Sequence, residues 1–336
     1  MEKILITGGA GYIGSHITYE LIDNGYEVVI VDNLSTGKSY LIPENSIFYQ
    51  GDFSDTGLLE QIFANQKIDS VIHCAAFIDA ADSLAKPLEY YYENAVKTMN
   101  FISFCNNKNL TNFLFSSTAA VYGNPKTVVV SEETYCRPLT PYGSSKLMAE
   151  KFIQDFSRIS SINFGILRYF NVAGADVKGR TGQPNSASSS VFSALCRVVI
   201  GGQECFTING NDYNTPDGTC IRDFIHVSDL ANAHRLAIEY LGSSSDEKNE
   251  PFIMNCGYGH GFSILQLIEA TEAVTGKKLS YKFGERRAGD IEQIIAKNNK
   301  IREKLNWQPQ HDNLNEMVRT ALEWEQKKSF LPKYSV

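Results

Sequence analysis

The sequence predicts a doubly wound α/β fold, a largely parallel sheet with helices on both faces. Short apolar runs recur through the first half of the chain, continuous in Val, Ile, Leu and Phe rather than alternating, as strands covered on both faces are. Amphipathic stretches separate them, and strand, helix, strand in that order builds parallel βαβ units. The first run also passes straight into a glycine-rich turn with a helical pattern behind it.

The expected strands are Lys3–Thr7, Glu27–Asp32, 47–52, 70–76, Asn112–Thr118 and Asn163–Tyr169. Thr140 and Pro141 open a helix running to about residue 160, since a threonine cap followed by proline marks a helix start. After Tyr169 the rhythm loosens. Residues 179–190 are rich in turn formers and read as a loop, followed by a helix over 191–200, a short strand around Phe206 and the turn-rich stretch 210–218. Later helices are expected at 228–241, 263–275 and 314–327, with 243–250 a polar surface loop. This divides the chain into a larger domain, 1–172, and a smaller α/β region, 173–336, with some crossing of the chain between them.

Composition narrows the function. Hydrophobic residues make up 43% and charged residues 21%, which fits a globular enzyme rather than a disordered or fibrous chain. A net charge of -7 argues against a nucleic-acid binder, which would show a basic face. No stretch approaches the roughly 20 apolar residues that cross a bilayer, and glycine interrupts the N-terminal apolar run too early for a signal peptide, so a cytoplasmic protein with no membrane partner is expected. The seven cysteines are an odd number, widely spaced and without a Cys-x-x-Cys pair, which favours free thiols over a disulfide framework or zinc site. The six histidines hold no His-x-x-x-His pair, and no metal is expected.

The turn reads Gly8-Gly9-Ala10-Gly11-Tyr12-Ile13-Gly14. Glycines at 8, 11 and 14 allow a tight turn, close approach of backbone to a pyrophosphate, and close packing of helix on strand. The helix from Tyr12 then aims its N-terminal amides at the phosphates. Asp32 ends the second strand eighteen residues past Gly14, where a carboxylate accepts from the adenosine ribose and repels a 2′-phosphate. This is a Rossmann signature for NAD rather than NADP. Asp52 is placed to contact the adenine edge, although a strand-terminal turn aspartate fits that position nearly as well.

Tyr142 and Lys146 are four residues apart, so they share one face of a helix. Removing a proton from an alcohol needs a base active near neutral pH, and tyrosine titrates near 10. A nearby ammonium and the positive nicotinamide ring both favour the phenolate. Thr118, at the carboxyl end of its strand, faces the cofactor crevice and can share the proton. Ser116 and Ser117 compete for that role, alternation placing Ser116 with Thr118 and Ser117 on the other face.

With these motifs the chain resembles the extended short-chain dehydrogenase/reductase family and, within it, the UDP-glucose 4-epimerases. The matching stretches are 7–16 (TGGAGYIGSH), 116–123 (SSTAAVYG), 142–146, 167–175 (LRYFNVAGA), 211–227 (NDYNTPDGTCIRDFIHV) and 286–290 (RRAGD). The resemblance implies interconversion of UDP-glucose and UDP-galactose through a transient 4-keto sugar, with NAD regenerated each turnover. Tyr142, Lys146 and Thr118 would be catalytic, and Lys146 would also hold the nicotinamide ribose. Further NAD contacts would come from Tyr12, Ile13, Asn33, Phe53, Ala75, Ala76, Asn94 and Tyr169. In the UDP-sugar region, Asn171, Arg222 and Arg287 would meet the diphosphate and Asp290 the uridine ribose. A homodimer packed through helices at about 87–106 and 141–160 is also implied.

Five positions depart from the pattern. Ile78 stands where a lysine is usual, Thr118 where serine is commoner, and Ser190-Val191 where Asn-Leu or His-Leu lies near the uracil. Asn209 replaces an aromatic residue, and Ile294 replaces the tyrosine or small residue that gates 2-acetamido sugars. These leave a UDP-N-acetylhexosamine or UDP-pentose 4-epimerase as the alternative. Ala119 and Ala120 beside Thr118 disfavour dehydration, which would use an acid there, and the retained tyrosine and lysine disfavour a non-catalytic NAD-binding regulator.

Overall fold

The computed structural model describes residues 2–184, 190–243, 251–287, 289–328 and 330. In chain order the first half forms β1 (Lys3–Thr7), α1 (Tyr12–Asp23), β2 (Glu27–Asp32), β3 (Ile47–Gln50), α2 (Thr56–Asn65), β4 (Ser70–His73), α3 (Ala80–Ala85), α4 (Pro87–Tyr91), α5 (Lys97–Asn107), β5 (Asn112–Thr118), β6 (Val129–Val130), α6 (Pro141–Phe156), β7 (Asn163–Tyr169) and β8 (Asn171–Ala173). The rest forms α7 (Val191–Val199), β9 (Phe206–Asn209), β10 (Ile221–Arg222), β11 (Phe224–His226), α8 (Val227–Ser243), β12 (Phe252–Cys256), β13 (Phe262–Ser263), α9 (Ile264–Thr275), β14 (Tyr281–Gly284), β15 (Gln293–Ala296), α10 (Asn299–Leu305) and α11 (Leu314–Lys328).

Among the described residues the main sheet has seven strands in the order β12-β7-β5-β4-β1-β2-β3, and every pairing is parallel. Both faces are dry. Ile4, Ile6, Ile30 and Leu114 pack on one side with Leu230, Ala237 and Ile238 of α8. Leu5, Val29, Val71 and Phe113 pack on the other with Phe101 and Ile102 of α5 and Ile153 of α6. Alternate residues of one strand thus feed opposite cores, and each fully buried side chain of this size contributes about 1.5–3 kcal/mol. That is why the strands read as unbroken apolar runs.

Two strands are shorter than expected. The third ends at Gln50, because the Asp52 carboxylate accepts from Ser54 N and its hydroxyl and turns the chain. The fourth ends at His73. Its neighbour β1 stops at Thr7, where Gly8 turns away at φ 73°, so the ladder on that side ends with Cys74 N donating to Thr7 O at 3.1 Å. Part of the expected loop, residues 185–189, and most of the expected polar loop, residues 244–250, lie outside the described residues.

The crossing between the two halves is specific. Strand β12 and helix α8, both from the second half, complete the edge and one face of the main sheet. A four-stranded sheet, β13-β10-β15-β6, and two strand pairs, β11-β8 and β14-β9, stand beyond its carboxyl edge. One buried carboxylate, between β10 and β11, ties these two strands to β15 and to the turn after β12. Asp223 accepts from Tyr258 N at 2.8 Å, Gly259 N at 3.0 Å and Ala296 N at 3.0 Å. Burial raises it to about 6 in spite of those three amides. Replacing Asp223 by Ala leaves three buried donors without an acceptor, which lowers stability by at least about 2 kcal/mol. A urea midpoint equal to that of the wild type would contradict this.

Candidate active site

Between β1 and β4 the order of the strands reverses, and a crevice opens at their carboxyl ends. It is a cavity of about 720 Å³ running from the glycine turn to Arg222, Arg287 and Asp290. The turn is shaped by contact rather than by flexibility. A Cβ on Gly14 would lie 2.2 Å from Gly8 O, and one on Gly8 would lie 2.8 Å from Ala75 N. Gly11 caps α1 without a side chain, its own N–H turned back to Gly8 O at 3.1 Å. The first amides of α1 therefore face the cavity from a bare helix N-terminus, which suits an anion.

Asp32 lies beside the turn and helps build it. One carboxylate oxygen accepts from Ala10 N at 3.0 Å and the other from Leu34 N at 2.8 Å, while burial pushes the group upward. Asn33 is exposed at the rim, its side chain accepting from Ser35 N at 3.0 Å. Asp52 also lines the cavity, but one oxygen is held by Lys97 Nζ at 2.8 Å, which keeps the carboxyl below its usual range against the effect of burial. Phe53 packs edge-on to His73.

Thr140 caps α6, accepting from Gly143 N at 3.3 Å, with Pro141 in the first turn. The next residue, Tyr142, lines the cavity with Thr118 and Tyr169. Burial raises the Tyr142 phenol above its ordinary value, and a hydrogen bond with the Thr118 hydroxyl offsets part of this. Lys146 is fully buried one turn further on. Its ammonium donates to Ser116 O at 2.9 Å and lies 4.6 Å from the centre of the Phe115 ring. Burial lowers it to about 8. In the protein alone, then, the lysine's charge is directed to a carbonyl, and the groups acting on the phenol leave it protonated.

The two competing serines are engaged elsewhere. Ser117 donates to Glu150 on one face of the sheet. On the other, Ser116 meets His234 Nε2 at 3.0 Å, whose Nδ1 donates to Leu230 O at 2.9 Å. Thr118 is the hydroxyl of this set that reaches the cavity.

The far half of the cavity is walled by Phe170, Asn171, Phe206, Thr207, Cys220 and Phe224. Arg222 is anchored there, donating to Ile221 O and Glu292 O and lying 3.5 Å from Asp290. Among the described residues that line the cavity, Arg222 and Arg287 are the two cations.

Most of the expected site residues converge on this one space. The glycine turn, Asp32, Asn33, Asp52, Phe53, Ala75, Ala76, Thr118, Tyr142, Tyr169, Asn171, Arg222, Arg287 and Asp290 all line it. Asn94 and Lys146 do not. Asn94 sits in a single π-helical turn, residues 92–96, between α4 and α5. Its amide accepts from Phe77 N at 2.8 Å and donates to Phe77 O at 2.9 Å, so it shapes the loop behind the wall. The departures Ile78, Ser190, Val191 and Asn209 also line the cavity, whereas Ile294 does not. Ile294 is buried among Ala119, Val121, Tyr122 and Phe170. Its neighbour Phe170 and its strand partner Arg222 line the cavity, while its own side chain does not. Sequence reasoning passed over Glu93, Gln183 and Thr207 in the wall, polar residues carrying no motif that would mark them, and read Thr140 only as a helix cap.

Residues 4–257 match the model of the NAD dependent epimerase/dehydratase family. The chain belongs to that family. A UDP-glucose 4-epimerase of Azospirillum brasilense is 42% identical over 96% of this chain and 92% of its own length. The crystal structure of UDP-glucose 4-epimerase from Bifidobacterium longum in complex with NAD+ and UDP has a TM-score of 0.90 at 35% identity, covering 97% of this chain and 98% of the other. The UDP-Glc/GlcNAc 4-epimerase of Campylobacter jejuni has a TM-score of 0.84 at 40% identity, covering 97% and 100%. NAD is therefore the cofactor of this member of the family.

The charge on Lys146 makes the expected catalytic pair testable by pH. Lys146 is charged below about 8 and loses its ammonium above it, so turnover should fall as pH rises through that value. A kcat/KM profile that stays level from pH 7 to 10 would exclude Lys146 as a required cation.

Proposed function

We propose that this chain interconverts UDP-hexoses, UDP-glucose and UDP-galactose, by epimerisation at C4. The observation that carries the reading is the meeting of Tyr142, Thr118 and a bare helix N-terminus in one cavity that also holds two arginines at its far end. The amides of residues 11–14 take the NAD pyrophosphate, Asp32 the adenosine ribose, Asp52 and Phe53 the adenine, and Tyr142, Lys146 and Tyr169 the nicotinamide ribose. The residues suit NAD because the glycine contacts leave room for backbone alone and Asp32 holds a carboxylate beside the turn, where the adenosine ribose would lie. When bound, NAD+ supplies a hydride acceptor and a positive ring beside Tyr142.

Arg222 and Arg287 bind the diphosphate of the sugar nucleotide, as the planar donor fork of arginine suits phosphate. Asn171 joins them, and Asp290 takes the uridine ribose. Tyr142 accepts the proton of the 4-hydroxyl and returns it, with Thr118 sharing the hydrogen bond. The sugar passes through a 4-keto form and turns within the pocket before the C4 hydrogen returns to its other face. Ala119 and Ala120 beside Thr118 supply no acid for the loss of water. Incubation with a panel of UDP-sugars tests the assignment, UDP-galactose from UDP-glucose being the expected product. A turnover seen only with UDP-N-acetylhexosamines or UDP-pentoses would replace the hexose reading. Tyr142→Phe should retain NAD and the fold but lose at least about a hundredfold in kcat; activity within tenfold of the wild type would remove the tyrosine from the reaction.

The protein acts as a homodimer in the cytoplasm. Leu84, Leu88, Tyr92, Val96 and Met148 are exposed along the α3–α6 side of the molecule, an apolar patch suited to its own copy. No described helix is long and apolar enough to cross a membrane, and the seven cysteines are free thiols, as in a reducing compartment. Leu88→Glu should convert the dimer to monomer in sedimentation velocity; a wild-type protein already monomeric at micromolar concentration would sink the dimer.

A further inference from the structure

Helix α6 meets the end of β5 through three side chains spaced four residues apart. Tyr142 is hydrogen-bonded to Thr118, Lys146 Nζ donates to Ser116 O at 2.9 Å, and Glu150 accepts from the Ser117 hydroxyl. All three are buried, Glu150 completely. Its carboxylate is also gripped by Arg168 of β7, with Nε at 3.0 and 3.1 Å from the two oxygens and Nη2 at 2.6 Å from one. Arg168 Nη1 donates onward to the Tyr122 hydroxyl at 3.1 Å and to Glu132 O at 3.3 Å. Tyr122 in turn donates to Asn255 of β12 at 2.6 Å. The third side chain of the row thus ties α6 to three adjacent strands at the level where the first two do chemistry.

A buried ion pair is a poor source of stability compared with apolar packing of the same volume, so this one calls for another role. An anion one helical turn from a cation favours the charged form of that cation. The groups facing Lys146 from other elements offer no such charge. His73 of β4 is held neutral by burial, the Cys74 thiol is raised to about 11, and Phe115, Ser116, Tyr169 and His234 carry no charge at neutral pH. Tyr142, on its own helix, is protonated in the free protein. Burial lowers Lys146, and the Cys74 thiol and then Glu150, the one carboxylate of the set, act against it. Facing Glu150 in turn are Arg168, the Tyr122 hydroxyl and the Cys136 thiol, which is pushed up by burial.

We propose that Glu150 is a positioning residue for the reaction: with Ser117 and Arg168 it locks helix α6 against the end of β5 and sets its carboxylate one turn from the Lys146 ammonium. The inference rests on the reading of Tyr142 and Lys146 given above. It assigns work to a side chain that touches neither cofactor nor sugar.

Glu150→Gln keeps the shape and the Ser117 hydrogen bond but removes the charge. Because it leaves Arg168 buried without its partner, the paired change Glu150→Gln with Arg168→Met is made beside it. In whichever variant folds and retains NAD, kcat should fall about tenfold with KM nearly unchanged. The alkaline limb of the pH–rate profile should move down by at least about half a pH unit, because Lys146 gives up its proton more readily. A lysine 15N NMR titration, with the Lys146 signal assigned by its loss in Lys146→Arg, should show the same displacement without turnover. A folded variant whose alkaline limb and Lys146 titration both coincide with the wild type would overturn the proposal. If neither variant folds, Ser117→Ala decides, a severalfold fall in kcat at constant KM being expected and an unchanged kcat refuting the role. Wild-type enzyme with no alkaline limb in its rate profile but a Lys146 titration that does move in the variants would instead break the assignment of Lys146, leaving the placement of Glu150 intact.

Discussion

The contact between Gly14 and the carbonyl of Gly8 is the constraint on which the rest of the site depends. There is no space for a single methyl group between them, so α1 leaves β1 at one angle and distance only. That angle aims the first amides of the helix across the carboxyl edge of the sheet, where Asp32, Cys74, Thr118 and Tyr169 also end their strands or follow them. A parallel sheet brings those strand ends to one edge by its geometry. The glycine contact decides that a phosphate-sized space, rather than a side chain, lies among them.

Burial then sets the chemistry. Three groups of the site are displaced toward their neutral forms: the Tyr142 phenol upward, the Lys146 ammonium downward, the Asp32 carboxyl upward. A wall built this way does little by itself. It becomes reactive when charges meet it in pairs, an ammonium with a carboxylate one turn away or a phenol with a positive ring. The low dielectric that resists an unpaired charge also strengthens a paired one. Opposite, Arg222 stands between Asp290 and two carbonyl groups, so the far end of the cavity is organised by its own contacts.

How much of this was legible in the sequence follows the range of the interactions. The strands β1 to β5 and β7, the turn and the Tyr142–Lys146 spacing rest on contacts within one or two elements, and their periodicity carries them. β12 went unread because five residues in a polar neighbourhood have no period of their own; what makes them a strand is the free edge of β7 beside them. Asn94, expected at the cofactor, lies buried in a π-helical turn with its amide bonded to Phe77 N and O, contacts that no spacing announces. Ile294 was expected to gate the sugar and is instead packed behind Phe170. Glu150 could have been found, since it continues the four-residue spacing of Tyr142 and Lys146, but spacing alone does not tell a catalytic support from a solvated helix face.

The sequence by itself determined the sheet, the bare helix terminus, the acid at the end of β2 and the Tyr142–Lys146 pair, because each depends on residues whose relative placement a strand or helix dictates. Tertiary structure alone decided which hydroxyl faces the cavity, which charge answers Lys146, and how the second half closes the crevice. Those outcomes rest on long-range partners: Ser117 with Glu150, Glu150 with Arg168, and Asp223 with the amides of residues 258, 259 and 296. A buried polar group is specified by whatever satisfies it, and the chain brings that partner near only when the fold is complete.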